Sequence, residues 1–289
     1  MSKQFLASPL KWAGSKRTVL PQLIPTFQKH FKFYKTGKFI EPFTGSGVVA
    51  MNVECNHKTI NDINPDLVNL YRCCKENPTA LIEMAQTLFT IENCTTSAYN
   101  KLRTEFNSRL DDKIRMAALF LYLNKHGFNG LCRYNRDGKF NVPPHSCCKE
   151  KRTVGPALPV AEIMQMHEAF KDALIYNHEF KTVMDRAMPG DLVYCDPPYF
   201  AWEQSGGSFT SYAKEGFGIT SQIELAYLAS LKANEGVTVV VSNHATPTCI
   251  QLYKELGAKL KFLDVIRSVS ADSETRGTAK ELIAIFEGK

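Results

Sequence analysis

Two segments of the chain, "DLVYC" (191–195) and "GVTVVVSN" (236–243), are apolar at consecutive positions, the pattern of strands covered on both faces. "GKFIEPF" reads as a strand over Phe39–Phe43, "KTIND" as a second ending near Asp62, and "LIYNHEF" as a further one. Between and after them the apolar spacing turns helical. A helix is expected from about Val48, and a helical pattern runs from Asp66 to Leu123. Its clearest member is "DDKIRMAALFLYLNK", with apolar positions at Ile114, Ala117, Ala118, Phe120 and Leu121. "AEIMQMHEAFKDA" and "ITSQIELAYLASLKAN" predict two more helices, the second capped by Thr220. Asn64 followed by Pro65 is a helix start, a side-chain acceptor ahead of a residue with no N–H to leave unpaired. "KLKFLDVIRSVSA" and "KELIAIFEG" predict a closing antiparallel pair.

Strands alternating with helices at both ends of the chain imply an α/β fold with a doubly wound, Rossmann-like sheet. The helical middle, with one basic loop, reads as an insertion. The expected division is a discontinuous domain, 1–64 and 160–289, carrying a smaller domain, 65–159.

The run 191–200, "DLVYCDPPYF", ends a strand in an acid, two prolines and two aromatics. Adjacent prolines donate nothing to a sheet ladder, so the strand must stop. Asp196 is left at its carboxyl end, with the carbonyls of Asp196 and Pro197 outside the ladder. Open α/β sheets bind ligands at that edge.

Composition narrows the field modestly. A hydrophobic content of 44% and a charged content of 22% are ordinary for a globular chain, and a net charge of +6 allows a polyanionic partner. The start holds no apolar signal core and no run is long enough to span a membrane, so a cytoplasmic location and no membrane association are expected. The nine cysteines are an odd number, which favours free thiols. Cys132, Cys147 and Cys148 lie near His126 and His145 in sequence, but no zinc-type spacing is present and no metal is expected.

"EPFTGSGVVA" sets Gly45 and Gly47 between a strand and a helix, where glycine admits a ligand that a Cβ would exclude. That turn fits a nucleoside-type cofactor and leaves NAD(P) and S-adenosylmethionine both open. Asp62, at the next strand's end, suits the ribose hydroxyls of either. "KWAGSKR" adds an indole and several cations: Lys16 can neutralise a carboxylate while Trp12 packs over an aliphatic stem. An amino-acid moiety would use that arrangement and a nicotinamide would not.

Taken in order, "KWAGSK", "EPFTGSG", "NDIN", "NGLCRYN", "CDPPY" and "SNH" resemble the Dam family of DNA adenine N6-methyltransferases, bacteriophage members included, over about Pro9–Phe286. The resemblance implies the S-adenosylmethionine-binding sheet of those enzymes with an inserted DNA-recognition domain carrying a β-hairpin. It implies cofactor contacts from Trp12, Lys16, Phe43, Gly45, Gly47, Asp62 and Asp196, and catalysis by Asp196, Pro197 and Tyr199. It places Lys11, Phe128, Asn129, Leu131, Arg133, Asn135 and Pro143 against double-stranded DNA, with GATC the implied target and a monomer or weak dimer as the working form. After Pro143 the chain departs from the family's aromatic and basic run.

The residues themselves bear on that reading. Asp137-Gly138 is a strong hairpin signal, with Arg133, Arg136 and Lys139 around it and Phe128 in the turn before. A two-stranded ribbon fits the major groove, and an aromatic wedge can fill the space of a flipped base. The Gly- and Ser-rich stretch 201–216 is expected to act as a flap. Alternative readings are an NAD(P)-dependent oxidoreductase, which leaves "KWAGSK" and "DPPY" without a role, a methyltransferase of cytosine N4 or a protein amide, and an inactive DNA-binding module.

Overall fold

The computed structural model describes residues 4–31, 36–145, 155–198, 217–266 and 278–289. They form a mixed α/β fold with a seven-stranded sheet. The chain divides into two compact units, one of residues 1–17, 45–52 and 62–177, the other of residues 18–44, 53–61 and 178–289.

The strands, in chain order, are β1 (Lys38–Glu41), β2 (His57–Asn61), β3 (Leu174–Tyr176), β4 (Leu192–Cys195), β5 (Thr238–His244), β6 (Lys259–Ile266) and β7 (Thr278–Phe286). All but β3 belong to the second unit, in the order β2-β1-β4-β5-β7-β6. β1 runs parallel to both β2 and β4, and β4 parallel to β5. β7 is antiparallel to β5 and to β6, the closing pair the sequence predicts. Every residue of β4 and the five central residues of β5 are buried, which is why neither segment alternates. The winding direction reverses between β1 and β4, so their carboxyl ends flank a topological switch point.

Several boundaries differ from the sequence reading. β1 ends at Glu41 rather than Phe43, because Pro42 has no N–H for the ladder. The "LIYNHEF" strand stops at Tyr176, and Phe180 instead opens the short helix Phe180–Met184. Helix Ile219–Asn234 is preceded by Gly218, with no side-chain cap; Thr220 lies within it.

The first unit is built around helix Lys113–His126, whose residues Met116 to Asn124 are all buried. The segment predicted as the clearest helix is therefore a core helix enclosed by its neighbours, Pro65–Glu76, Pro78–Gln86 and Thr96–Asn107. Asp112 caps it through the Arg115 N–H at 2.9 Å. Asn64 caps Pro65–Glu76 as predicted, its Oδ1 accepting the N–H groups of Asp66 and Leu67. No helix among the described residues is long and apolar enough to cross a membrane.

Candidate active site and nucleic-acid interface

In the first unit, Gly45 has φ +51°, and a Cβ there would lie 2.9 Å from the Trp12 indole nitrogen. Only glycine lets the indole rest on this turn. Gly47, at φ +75°, packs so that a Cβ would meet the Phe170 ring at 3.2 Å. The Tyr71 hydroxyl donates to the Gly45 carbonyl and the Asp62 Oδ2 accepts the Gly45 N–H at 3.0 Å. The other Asp62 oxygen accepts the Asn64 N–H, also at 3.0 Å. With the Ile63 N–H as a third donor, the carboxylate still has an acceptor position beyond these bonds. Burial raises the Asp62 pKa above its ordinary value, opposed by the N–H groups of Asn64, Gly45 and Ile63. Lys16 is buried at the start of a short 3-10 helix, its Nζ donating to the Gly14 carbonyl at 3.3 Å. An indole, two cramped glycines and a half-buried carboxylate with an acceptor position to spare fit a nucleoside bearing an amino-acid tail.

The segment of the same unit from Phe128 to Pro143, expected from the sequence to face DNA, is tied down from beneath. The buried amide of Asn124 accepts the Lys11 N–H at 2.9 Å and donates to the carbonyls of Lys11 at 2.7 Å and Gly130 at 3.3 Å. A Cβ on Gly130 would lie 2.4 Å from the Lys11 Cβ, and Gly130 has φ +65°. Phe128 stands 46% exposed on this base. Asn129, at φ 51°, is a second left-handed residue of the turn, beside Gly130. Leu131 is half-buried beside it. The Pro143 carbonyl accepts the Phe128 N–H at 2.9 Å, and the Val142 carbonyl accepts from the Tyr99 hydroxyl and Arg103.

The predicted hairpin is present as a turn but not as two strands. One isolated antiparallel bridge, Tyr134 to Phe140, takes their place. The Asn135 Oδ1 accepts the N–H groups of Asp137 and Lys139, at 3.1 and 2.9 Å, and so shapes the turn from inside. The Asn107 amide takes both the N–H and the carbonyl of Phe140. Arg133 and Lys139 are exposed, and the Arg133 Nε donates to the Asn141 Oδ1 at 2.8 Å. Behind them, Asp66 accepts from the Tyr134 hydroxyl at 2.7 Å and from Arg109 at 2.6 Å. Arg109 Nη2 also donates to the Gly138 carbonyl at 3.1 Å, clamping the turn on the helix that begins at Pro65. Cys132 is a free thiol near the Asn64 amide, and burial pushes its pKa up to about 11.

In the second unit, the carboxyl ends of β1 and β4 carry Phe43 and Asp196. The Asn61 amide donates to the carbonyls of Pro42 and His178, both at 2.9 Å, and accepts the His178 N–H at 2.8 Å. Thr44 exchanges backbone and side-chain bonds with Asn61 and Glu41. So fixed, Phe43 stacks on Phe180 at 5.3 Å and meets Phe217 edge-on at 5.3 Å. Asp196 is half-buried directly beyond Cys195, and Pro197 is buried. The buried Tyr194 hydroxyl is bonded to Ser242 Oγ at 2.8 Å. Tyr199, the 201–216 stretch, Cys147 and Cys148 lie outside the described residues.

Tyr71 and Asn124 escape a motif reading, and Asn61, though the first residue of "NDIN", is given no role by it. Their one signal in the sequence is a polar group inside an otherwise buried pattern.

The family pattern described as "D12 class N6 adenine-specific DNA methyltransferase" matches residues 12–269. The DNA adenine methylase of Vibrio cholerae is 37% identical over 278 residues, covering 96% of this chain and 95% of that protein. The DNA adenine methylase of Escherichia coli is 36% identical, covering 96% and 94%. The DNA N-6-adenine-methyltransferase of Escherichia phage P1 is 35% identical over 98% of this chain and 36% of its own length. These matches remove the oxidoreductase reading of the glycine turn. The chain belongs to the D12 class of N6 adenine-specific DNA methyltransferases.

Proposed function

We propose that the protein transfers a methyl group from S-adenosylmethionine to N6 of adenine within GATC in double-stranded DNA, by base flipping and direct transfer. Trp12, Lys16, Gly45, Gly47 and Asp62 hold the cofactor. Trp12 packs over its aliphatic stem, Lys16 meets its carboxylate, and Asp62 accepts from the ribose hydroxyls. S-adenosylmethionine, when bound, supplies an activated methyl group with its own leaving group, so the chain need provide no covalent nucleophile.

The difficulty lies in the adenine. The N6 lone pair is delocalised into the ring, which makes the nitrogen a poor nucleophile. Asp196 accepts one N6 hydrogen and the Pro197 carbonyl the other, drawing the nitrogen toward tetrahedral geometry. Asp196 also meets the positive charge that develops on N6, an electrostatic stabilisation set in place before reaction. Positioning does most of the rest. An adenine inside a duplex cannot reach these acceptors, so it leaves the stack, and Phe128 fills the space. Tyr199 offers a stacking face, Arg133 reads a guanine edge, and Lys11 and Lys139 meet phosphate.

The observation that carries this reading is the strand end itself. β4 stops at Cys195 beside the switch point, with a carboxylate and a proline carbonyl next in line. The test is methylation of GATC duplexes and of each single-base variant, followed by nuclease digestion and identification of the modified nucleoside. N6-methyladenine confined to GATC is expected; methylated cytosine, or equal transfer to every variant, would refute the assignment.

A further inference from the structure

The second unit holds a chain of amides that the reaction as proposed does not use. Gln222, in the first turn of helix Ile219–Asn234, is 1% exposed, and so is Asn243 on β5. Gln222 Nε2 donates to the Pro198 carbonyl at 3.1 Å. Its Oε1 accepts from Asn243 Nδ2 at 2.9 Å, and that nitrogen also donates to the Tyr253 hydroxyl at 3.1 Å. The Asn243 Oδ1 accepts the His244 N–H at 2.8 Å.

The arrangement has a direction. An amide oxygen only accepts and an amide nitrogen only donates. The His244 N–H requires the Asn243 oxygen to face it, which turns the Asn243 nitrogen toward Gln222. Gln222 must then present its oxygen to Asn243 and its nitrogen to Pro198. A buried amide is costly unless bonded, and a leucine would fill the site more cheaply. What the amide adds is a hold on one carbonyl. Pro197 and Pro198 have φ fixed by their rings. With β4 anchoring one end and Gln222 the other, the turn has little freedom left.

We infer that Gln222, oriented by Asn243, is a positioning residue for methyl transfer: it holds the Pro198 carbonyl and thereby aims the Pro197 carbonyl and the Asp196 carboxylate at the target nitrogen. This rests on Asp196 and Pro197 being the acceptors of that nitrogen.

Gln222→Leu keeps the volume and removes the donor. Gln222→Glu keeps the shape, and its carboxyl can donate to Pro198 only when protonated. The measurement is single-turnover methylation of a GATC duplex across pH, with KM values for cofactor and DNA alongside, each variant divided by wild type. The other ionisable groups at this end of the unit, Asp196, His244, Glu281 and Tyr253, are common to all the proteins and cancel in the ratio. A misplaced acceptor costs on the order of 10²-fold. Both variants should lose that much in rate with KM unchanged at neutral pH. The Gln222→Glu ratio should recover as pH falls, and the Gln222→Leu ratio should not. A loss carried by KM, a Gln222→Leu rate equal to wild type, or a Gln222→Glu ratio flat with pH would overturn the inference. If circular dichroism shows either variant unfolded, Gln222→Met must show the same rate loss with KM unchanged. Wild-type methylation of adenine and its loss in Asp196→Ala test the underlying reading separately. With both intact, an unaffected Gln222→Leu refutes the positioning role alone.

Discussion

Asn124→Ala removes three hydrogen bonds in one step, two to the backbone of Lys11 and one to the carbonyl of Gly130. Asn124 is 1% exposed, so water reaches the amide poorly. A net value of about 0.5–1.5 kcal/mol per bond gives roughly 1.5–4.5 kcal/mol for the set. Lys11 is exposed, and water can reach its backbone groups once the amide is gone. That places the expected loss near the middle, about 2–3 kcal/mol, a large share of a typical stability of about 5–15 kcal/mol. Urea denaturation followed by far-UV circular dichroism reads it directly. DNA affinity, measured by fluorescence anisotropy, should fall as well, because the turn bearing Phe128 loses its anchor. A loss below about 1 kcal/mol, less than one good bond, would show that the Lys11 and Gly130 segments hold together without the amide.

Asp62→Ala should weaken S-adenosylmethionine binding by about 1.5–3 kcal/mol in a calorimetric titration, leaving cofactor-free DNA affinity unchanged. Because burial raises the Asp62 pKa, the wild-type cofactor affinity should start to fall, as pH is lowered from neutrality, above the ordinary carboxylate range, and Asp62→Ala should abolish that dependence. By the same sign, the charged form of Asp62 is the penalised one, so its contribution to folding stability declines as pH rises through the raised pKa. Arg133→Ala should cost about 1–3 kcal/mol of discrimination at one base pair, whereas Lys139→Ala should weaken all sequences alike and reduce the log–log salt slope by about one. Methylation of GATC and its single-base variants at several salt concentrations separates the two, and a uniform drop for Arg133→Ala would remove its base-reading role. Tyr134→Phe deletes a bond to the charged Asp66 and should lower stability by about 1.5–3 kcal/mol in urea; no change would mean that Arg109 alone secures the turn.

What was legible in the sequence was mostly what is encoded locally. The Pro197-Pro198 stop ends β4 where expected, and the Asn64-Pro65 start caps its helix, because both depend on a few adjacent residues. Helix Lys113–His126 was legible as a helix, but periodicity alone did not reveal that it is enclosed on every side. Thr220 is not the cap because the helix begins at Ile219, with Gly218 in the cap position two residues before Thr220. The Asp137-Gly138 turn is legible, but its flanks form one bridge and not two strands. Two backbone bonds, Asn135 N–H to the Lys139 carbonyl and Asn141 N–H to the Arg133 carbonyl, flank the Tyr134–Phe140 bridge, but the Asn135 side chain takes the Lys139 N–H that would have continued the ladder. The amide clamps were illegible for another reason. Asn124 reaches 113 residues back to Lys11, and Asn61 reaches 117 residues forward to His178. Nothing local marks such a partner.

The proposed activation of the adenine nitrogen by Asp196 is tested by single-turnover methylation of a GATC duplex by Asp196→Ala. Loss of one preorganised electrostatic partner costs about 10²–10³ in rate, and a carboxylate should sit at or beyond the upper end. That loss is expected in a folded protein that still binds cofactor and DNA, with Asp196→Asn, which keeps one acceptor oxygen, partly active. A rate reduced less than tenfold in Asp196→Ala would contradict it.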